Sequence, residues 1–403
     1  MQWKNGVHLM KVGRGILHGS RAYTGPVQVN FNVTNRCNLR CLHCYFYSPC
    51  IERPNMLSVR QTRLKGLSLP EKTYLKDLQK LEANPQRILE AIDKLTAMGT
   101  RRFQFGGNGE PFFHSHALDF MRYATRGEGY CTVNTNGTLL DPPIMDELIT
   151  IGVGKLRITT MAGTAKTFVR THPGCRESMF ETLRNNLIYL SQKKKLERCI
   201  RPEVTLVCVI VAQNCDGLLD FAKFAGEIQA DEVVYALFDD VGDPGFAPLV
   251  PTAEEAACAR KQLDESRIYL DSKRIKHNVS NALRVFRNKL NTQELYSNIP
   301  CYLGWLALRI DLDGSVYPCC RSYDSLGNIY EEDFDYIWNS KAYGHWRKTA
   351  KAINKRKTPV VNCACNACVH HNLNTRVYKF FHPVKGRSSR LTKLFQANED
   401  EIE

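Results

Sequence analysis

Three cysteines near the amino end of the chain have a spacing that suits metal chemistry. Cys37, Cys41 and Cys44 stand in the run VTNRCNLRCLHCY, with the pattern CxxxCxxC. Three thiolates at this spacing can bind three irons of a 4Fe–4S cube and leave the fourth iron open to chelate a small molecule. A zinc knuckle or three buried thiols is the alternative, but structural zinc takes four ligands, often from paired CxxC arms. No fourth Cys or His stands at such a spacing, although His43 and Cys50 are close. The pattern therefore favours an iron–sulfur cluster with one open iron.

The residues from 28 to about 240 alternate between strand patterns and helix patterns. The candidate strands are residues 27–34, 101–105, 132–134, 155–160, 204–212 and 232–240. Between them, Asn84 predicts a helix N-cap, and Ser178 with Glu181 predicts a capping box for a later helix. Alternating β and α units predict a parallel sheet with right-handed crossovers, and six of them predict an α/β fold with a partial (β/α)6 TIM-like barrel.

Polar motifs follow the first three candidate strands. The loop that carries the cysteine triplet follows the first strand, GGNGEP (106–111) follows the second, and TNG (135–137) follows the third. Active sites of such barrels gather at the carboxyl ends of the strands. The sequence therefore predicts that these three segments form one site.

In this setting the triplet resembles the signature of the radical S-adenosylmethionine (radical SAM) enzymes. The resemblance implies that Cys37, Cys41 and Cys44 ligate a 4Fe–4S cluster whose open iron holds the amino and carboxylate groups of S-adenosylmethionine (SAM). It implies that these cysteines are the catalytic residues, because one electron from their cluster cleaves SAM reductively to a 5′-deoxyadenosyl radical. A reductant such as a flavodoxin or ferredoxin is the partner that this chemistry implies.

The same resemblance implies a set of side chains and glycines that contact SAM. The expected residues are His43, Tyr45, Gly106, Gly107, Glu110 and Thr160. His43 occupies a position that is usually aromatic and lies near the adenine, and Tyr45 adjoins it. Glycines let the backbone approach the ligand closely, and the carboxylate of Glu110 can pair with the methionyl ammonium. The chain departs from the family pattern by two residues inserted before Glu110. Thr160 is expected to contact the ribose, although Ala162 stands where an acid is usual.

A second group of cysteines lies between residues 301 and 368. Cys301 is followed by twelve residues, Gly314, four more residues and Cys319, and the run NCACNAC comes about forty residues later. The segment RIDLDGSVYPC predicts a β-hairpin with Asp-Gly in its turn. This pattern resembles the Twitch half of the SPASM/Twitch extensions that many radical SAM enzymes carry, and it implies a small Cys-rich β-hairpin/α Twitch-like domain.

The Twitch resemblance implies one auxiliary 4Fe–4S cluster with four thiolate ligands. The expected ligands are Cys301, Cys319, Cys365 and Cys368. A second auxiliary cluster would need cysteines beyond Cys368, and the sequence has none. Cys320 and Cys363 remain as replacements for a neighbouring ligand or as redox thiols. Structural zinc bound by four cysteines remains the alternative, because the same spacing tolerates it.

Composition indicates an intracellular globular protein. Hydrophobic residues make up 43% of the 403 residues and charged residues 24%, which is ordinary for such proteins. No run of 18 apolar residues exists, and the first residues have too short an apolar stretch for a signal peptide, so we expect a cytoplasmic protein without a transmembrane segment. Sixteen cysteines in such a chain favour metal or redox chemistry over disulfides.

The formal net charge of +14 is concentrated toward both ends of the chain. One interpretation is a solvated basic surface. The other is an anionic contact of the basic termini, with a phosphorylated or nucleotide-linked substrate, a lipid head group or RNA as the partner.

We expect five segments along the chain. They are a basic N-terminal extension (1–27), a radical SAM core (28–240), a linker and helical segment (241–300), an auxiliary cluster domain (301–370) and a basic tail with an acidic tip (371–403). Residues 48–83 form a long insertion, for which a lid over the active site and a disordered loop are the two interpretations.

The sequence leads to a radical SAM oxidoreductase or epimerase. We expect it to abstract hydrogen from an unactivated C–H bond of a small polar substrate, for which an anionic molecule is one option, and to give oxidation or epimerisation assisted by the auxiliary cluster. A first alternative is a maturase that forms thioether or carbon–carbon crosslinks in a ribosomally made peptide. A second is a non-catalytic zinc or iron–sulfur module that binds nucleic acid, for which steeply salt-dependent binding is expected.

Overall fold

The computed structural model describes residues 6–50, 81–240, 243–288, 298–365, 368 and 370–382. By contacts, the chain divides into two compact units. The first unit comprises residues 1–31, 83–103 and 291–403, and the second comprises residues 32–82 and 104–290. Most of the insertion at 48–83 and the tail from 383 onward lie outside the described residues, so the lid and the basic tail stay predictions.

Strands and helices alternate along the described chain. The strands are β1 Gln28–Phe31, β2 Arg102–Phe105, β3 Tyr130–Thr135, β4 Lys155–Thr159, β5 Glu203–Ile210, β6 Glu232–Leu237, β7 Lys276–His277, β8 Ala307–Ile310 and β9 Val316–Tyr317. The helices are α1 Gly6–His18, α2 Pro85–Ala97, α3 Ala117–Ala124, α4 Pro142–Ile151, α5 Ala165–Thr171, α6 Glu177–Leu196, α7 Leu218–Glu227, α8 Ala253–Lys273, α9 Val279–Asn288, α10 Leu303–Leu306, α11 Phe334–Trp338, α12 Lys341–Lys351, α13 Ile353–Arg356 and α14 His371–Phe381. Short 3₁₀ turns occur at Pro111–Phe113, Ala212–Asn214 and Pro244–Leu249.

The second unit is built on a parallel sheet. Strands β3 to β7 follow one another in sequence order, and each pairs in parallel with the next. The register aligns Asn134 with Arg157, Arg157 with Thr205, and Thr205 with Glu232. Six of the eight residues of β5 are buried, as expected for a strand covered on both faces. The predicted α/β fold of a partial (β/α)6 barrel is confirmed.

The N-terminal ends of α2 and α6 test the two helix caps that the sequence predicts. Asn84 caps α2 through its side-chain oxygen, which accepts a hydrogen bond from the Arg87 backbone N–H at 3.2 Å, as predicted. The predicted capping box at Ser178 is wrong, because α6 already begins at Glu177 with Arg176 at the cap. Ser178 therefore lies inside the first turn, where its hydroxyl cannot serve as an N-cap.

The first unit contains the predicted hairpin. Strand β8 pairs antiparallel with β9, and Gly314 in the turn has a φ of +82°, which favours glycine. Strand β8 also pairs in parallel with β1, a neighbour that the sequence pattern did not indicate. Helix α1 buries Val12 and Ile16 in this unit, so part of the N-terminal extension contributes to its core.

No helix among the described residues is both long and apolar enough to cross a membrane.

Candidate active site

The loop that carries the cysteine triplet is irregular and held by its own backbone. The Cys44 N–H donates to the Cys41 carbonyl at 3.0 Å, and the Ser48 hydroxyl donates to the Leu42 carbonyl at 2.6 Å. The Leu42 N–H donates to the carbonyl of Thr171, the last residue of α5, at 3.1 Å. The loop is therefore held in place by hydrogen bonds within itself and by one hydrogen bond to the end of α5.

The three thiols lie in surroundings that disfavour negative charge. Burial, together with the charges of Glu110 and Cys44, raises the pKa of Cys37 to about 11. Burial and the neighbouring thiols raise the pKa of Cys41 well above its ordinary value, and burial raises that of Cys44. Three adjacent thiolates therefore need a bound cation, and an iron cluster would supply that positive charge. The donor set fits the cluster that the sequence predicts.

Glu110 is a buried carboxylate with three donors. Its oxygens accept from the Thr135 hydroxyl at 2.7 Å, from the Asn136 backbone N–H at 2.7 Å and from the Phe112 N–H at 3.4 Å. Burial raises the pKa of Glu110 to about 7, against the opposing effect of these donors. The side-chain amide of Asn136 reaches Cys37 Sγ at 3.8 Å. Asn136 therefore links the carboxylate to the cysteine triplet.

The glycine-rich segment packs directly on the backbone before the triplet. A Cβ on Gly109 would lie 2.4 Å from the Thr34 carbonyl oxygen and 2.6 Å from that of Arg36. The Glu110 N–H donates to the Arg36 carbonyl at 2.8 Å, and the Asn108 N–H donates to the Asn32 side chain at 3.3 Å. The two residues inserted relative to the family pattern are therefore part of the contact between this segment and the residues that precede Cys37.

Several buried polar atoms beside the triplet have no hydrogen-bond partner among the described residues. These atoms are Oδ1 and Nδ2 of Asn35, Nδ1 of His43 and Nε2 of His172. The His172 ring is stacked on Phe168 at 4.3 Å, and its Nδ1 lies 3.0 Å from the Phe168 carbonyl. The carbonyl acceptor places the proton on Nδ1, so Nε2 carries a lone pair. Buried polar groups are normally paired, so these atoms mark a place where a ligand can bind.

The other predicted SAM contacts are spread along the strand ends. Gly106 and Gly107 follow β2 directly, and Thr160 follows β4 with its buried hydroxyl donating to the Ala162 carbonyl at 3.2 Å. The Tyr45 hydroxyl donates to the Asp239 carbonyl at 2.7 Å, and its ring packs among Phe238 and Phe246. Their roles toward SAM stay predictions.

Sequence reasoning missed three residues of this site: Asn35, Asn136 and His172. Asn136 lies in the TNG motif that the strand pattern had placed at the site, so the motif carried a usable signal. His172 reaches the loop only through the contact of Thr171 with Leu42, and no local pattern predicts that contact.

The second group of cysteines surrounds a cavity in the first unit. Its lining includes five cysteines, namely Cys301, Cys319, Cys363, Cys365 and Cys368. Burial raises the pKa of Cys301 to about 12 and that of Cys368 to about 11. The Asn374 amide lies 3.9 Å from Cys301 Sγ. The four predicted cluster ligands all line this one cavity, which fits an auxiliary cluster.

Two further donors belong to this region: His370 lines the cavity and Cys320 lies next to it. Cys320 Sγ lies 3.3 Å from His370 Nε2, and the ligand atoms of Cys319, Cys320 and His370 lie within 4.8 Å of one another. A hydrogen bond from Cys319 and the nearby His370 lower the pKa of Cys320. His370 was not predicted from the sequence, because it lies outside the cysteine spacing.

Comparison with known protein families identifies both parts of the chain. The Radical SAM superfamily model matches residues 31–195, and the model of the iron-sulfur cluster-binding domain SPASM matches residues 301–369. The chain therefore belongs to the radical SAM superfamily. It is a radical SAM enzyme with a C-terminal SPASM-type domain, and its cofactors are SAM, the 4Fe–4S cluster that binds SAM and an auxiliary 4Fe–4S cluster. These matches do not support the alternative of a non-catalytic zinc or iron–sulfur module that binds nucleic acid.

Two curated relatives match most of the chain. The antilisterial bacteriocin subtilosin biosynthesis protein AlbA of Bacillus subtilis is 22% identical over 89% of this chain and 71% of its own length. The Fe-coproporphyrin III synthase of Methanosarcina barkeri is 29% identical over 85% of this chain and 79% of its own length.

Among solved structures, Streptococcus suis SuiB bound to its precursor peptide SuiA matches with a TM-score of 0.57 and 14% identity. The match covers 91% of this chain and 76% of SuiB. Another structure, anSMEcpe with bound AdoMet, matches with a TM-score of 0.55 and 15% identity. This match covers 87% of this chain and 91% of anSMEcpe. At these identities the likeness is one of fold.

Proposed function

We propose that this enzyme abstracts hydrogen from a small polar, anionic substrate and oxidises or epimerises it with the help of its auxiliary cluster. When bound, SAM and its cluster supply a 5′-deoxyadenosyl radical on one-electron reduction. The observation that carries the proposal is the connected site in the second unit, where Asn136 joins Cys37 to the buried carboxylate of Glu110.

Each part of that site has a proposed role toward SAM. Cys37, Cys41 and Cys44 would hold three irons, and the raised pKa values of their thiols are consistent with a need for a cation there. Glu110 would pair with the methionyl ammonium, because an ionised carboxylate forms strong charge-assisted hydrogen bonds. The unpartnered nitrogen of His172 would accept a hydrogen bond from the bound cofactor or from water.

The auxiliary cluster would be held by the cysteines around the cavity of the first unit. The proposed ligands are Cys301, Cys319, Cys365 and Cys368. With four thiolates this cluster has no open iron, so its proposed task is to accept an electron from the substrate.

An anionic substrate is favoured by the polar row across the parallel sheet. Arg157 of β4 is 8% exposed and lies between Asn134 and Thr205 in the register, so a positively charged guanidinium stands in a row of polar residues within the sheet. Glu232, in the same row, is engaged by Lys155 at 3.3 Å and by the Thr205 hydroxyl at 3.1 Å. We propose Arg157 as the contact for an anionic substrate group. The name of the archaeal relative, a synthase of an iron porphyrin, also fits a non-peptide substrate.

The test uses full-length protein reconstituted with iron, sulfide, SAM and dithionite. Two clusters carry eight irons, so replacing Cys37, Cys41 and Cys44 with Ala should leave about four irons and abolish 5′-deoxyadenosine formation. Low-molecular-mass cell extract should raise 5′-deoxyadenosine above the substrate-free rate, and passage of the extract through an anion exchanger should remove that stimulation. Arg157→Gln should lose the stimulation and keep the substrate-free rate. Stimulation that survives the exchanger would contradict an anionic substrate.

Peptide maturation is the second candidate. It is favoured by the match to AlbA, a bacteriocin biosynthesis protein, over 89% of this chain. The discriminating experiment adds short Cys-containing peptides encoded beside the gene and follows their mass. Loss of two hydrogens from a peptide, with one 5′-deoxyadenosine formed per crosslink, would establish this function in place of the small-molecule one.

A further inference from the structure

The auxiliary region carries more metal donors than one cluster can use. A 4Fe–4S cube takes four ligands, whereas six cysteines and His370 lie in or beside the cavity. The three donors outside the predicted ligand set are Cys320, Cys363 and His370.

These surplus donors lie close to one ligand of the predicted cluster, Cys319. The ligand atoms of Cys319, Cys320 and His370 are within 4.8 Å of one another, with Cys320 Sγ and His370 Nε2 at 3.3 Å. Cys363 lines the same cavity as Cys319 and His370. Cys319 and His370 are 8% and 4% exposed, so these two members are shielded from water, whereas Cys320 and Cys363 are partly exposed.

The spacing of these atoms decides what they could bind. With Zn–S of about 2.3 Å and Zn–N of about 2.0 Å, two ligands on one tetrahedral ion lie about 3.5 to 3.8 Å apart. In a cube each thiolate binds its own iron, so terminal thiolates are separated by an iron–iron edge as well as by two outward bonds. The ligand atoms of Cys319, Cys320 and His370 are close enough together for a single ion, and Cys363, which is not part of this close group, is the nearby thiol that could complete the set.

The backbone holds this group together independently of any metal. The backbones of Cys363 and Ser322 pair in an antiparallel β-bridge, and the Ala364 N–H donates to the Arg321 carbonyl at 3.0 Å. The Arg309 guanidinium donates to the Cys320 carbonyl at 2.9 Å. His370 immediately precedes α14, where its carbonyl accepts from the Asn374 N–H at 3.0 Å. The donors are therefore brought together by paired segments and a helix start.

We propose that Cys319, Cys320, Cys363 and His370 form a second metal site for one thiophilic divalent cation of the zinc class. Binding would release three thiol protons and form three metal–thiolate bonds and one metal–imidazole bond, leaving a net charge of −1. Arg321, whose charge acts on Cys320 and Cys368, would offset that charge. Because Cys319 belongs to both donor sets, the cation and the auxiliary cluster exclude each other. The region then has two loading states, a zinc-class form and an iron–sulfur form.

The test titrates the full chain anaerobically with Co²⁺, without iron or sulfide, and records its absorption spectrum. One equivalent should give tetrahedral d–d bands and a thiolate-to-cobalt charge-transfer band. His370→Gln and Cys320→Ser should each weaken binding at least about 10-fold. Cys301→Ser and Cys368→Ser, which remove ligands of the cluster alone, should leave the cobalt spectrum unchanged.

The converse pattern is expected for the iron–sulfur form. Cys301→Ser and Cys368→Ser should lower auxiliary iron, whereas His370→Gln should not. A cobalt spectrum that is lost in Cys301→Ser and kept in His370→Gln would overturn the proposal, and so would the absence of a tetrahedral spectrum in the wild type. X-ray absorption of the wild-type cobalt protein gives a measurement that needs no variant, with three sulfurs and one nitrogen expected and four sulfurs contradicting the site. These results do not depend on SAM cleavage, so they stand apart from the test of the proposed function.

Discussion

Replacing Glu110 with Gln should have opposite effects on the stability of the protein at low and at high pH. Burial raises the pKa of Glu110 to about 7 from an ordinary 4.5. Because the folded-state pKa is the higher one, the contribution of Glu110 to stability is fully present below about pH 4.5 and is lost as the pH rises through about 7. At 1.36 kcal/mol per pH unit, the loss is about 3 kcal/mol.

Gln at this position removes the titration and disturbs the hydrogen bonds. Its amide group cannot accept from all of Phe112, Thr135 and Asn136, so one donor stays unpaired at a cost of about 1–3 kcal/mol. We expect the variant to be less stable than the wild type near pH 4.5. Relative to the wild type it should gain about 3 kcal/mol by pH 8.

The assay is urea unfolding of the cluster-free protein over this pH range, with exposed Glu128→Gln as the control. A stability difference between Glu110→Gln and the wild type that does not change with pH would contradict a raised pKa of Glu110 in the folded protein. In the cluster-loaded protein, loss of the charged partner should weaken SAM binding about 10- to 150-fold, which corresponds to 1.5–3 kcal/mol for a hydrogen bond to a charged group. Unchanged SAM affinity would remove Glu110 from the proposed binding site.

Two further substitutions test the sheet and the glycine segment. Glu232→Gln removes the charge of the carboxylate that lies 3.3 Å from the Lys155 ammonium, which is 5% exposed and also has Glu203 at 3.7 Å, and should cost about 1.5–3 kcal/mol in urea unfolding. A loss below that of an exposed ion pair, about 1 kcal/mol, would show that the pair is not buried in solution. Gly109→Ala would bring a Cβ to 2.4 Å from the Thr34 carbonyl, so iron loading of the second unit should fall, whereas Gly6→Ala, with nothing within 4 Å, should load normally. Equal iron content in both variants would contradict the close packing.

The sequence predicted what depends on short-range patterns. The alternation of β-branched runs and amphipathic helices predicted β1 to β6, and Asp313 with Gly314 predicted the hairpin turn. The cysteine spacings predicted both metal-binding regions, because ligand spacing is itself a local property of the chain. The capping signal at Ser178 failed, since the helix begins at Glu177, two residues earlier than a cap at Ser178 implies.

What the sequence could not predict depends on contacts between distant segments. Thr171 contacts the cysteine loop from more than a hundred residues away, and that contact brings His172 to the site. The pairing of β8 with β1 joins segments almost three hundred residues apart. His370 approaches Cys320 through the start of α14 and the bridge between Ser322 and Cys363. Such contacts arise from packing, which a single sequence does not encode in any local spacing.

Reductive cleavage of SAM by the cluster of the cysteine triplet can be measured without knowing the substrate. The reconstituted full-length enzyme is mixed with SAM and dithionite without substrate, and 5′-deoxyadenosine is quantified for the wild type, Cys41→Ala and the control Cys258→Ala. We expect product from the wild type and from Cys258→Ala, and none from Cys41→Ala. Equal product from Cys41→Ala, or none from a wild type that holds both clusters, would contradict the assignment of the triplet.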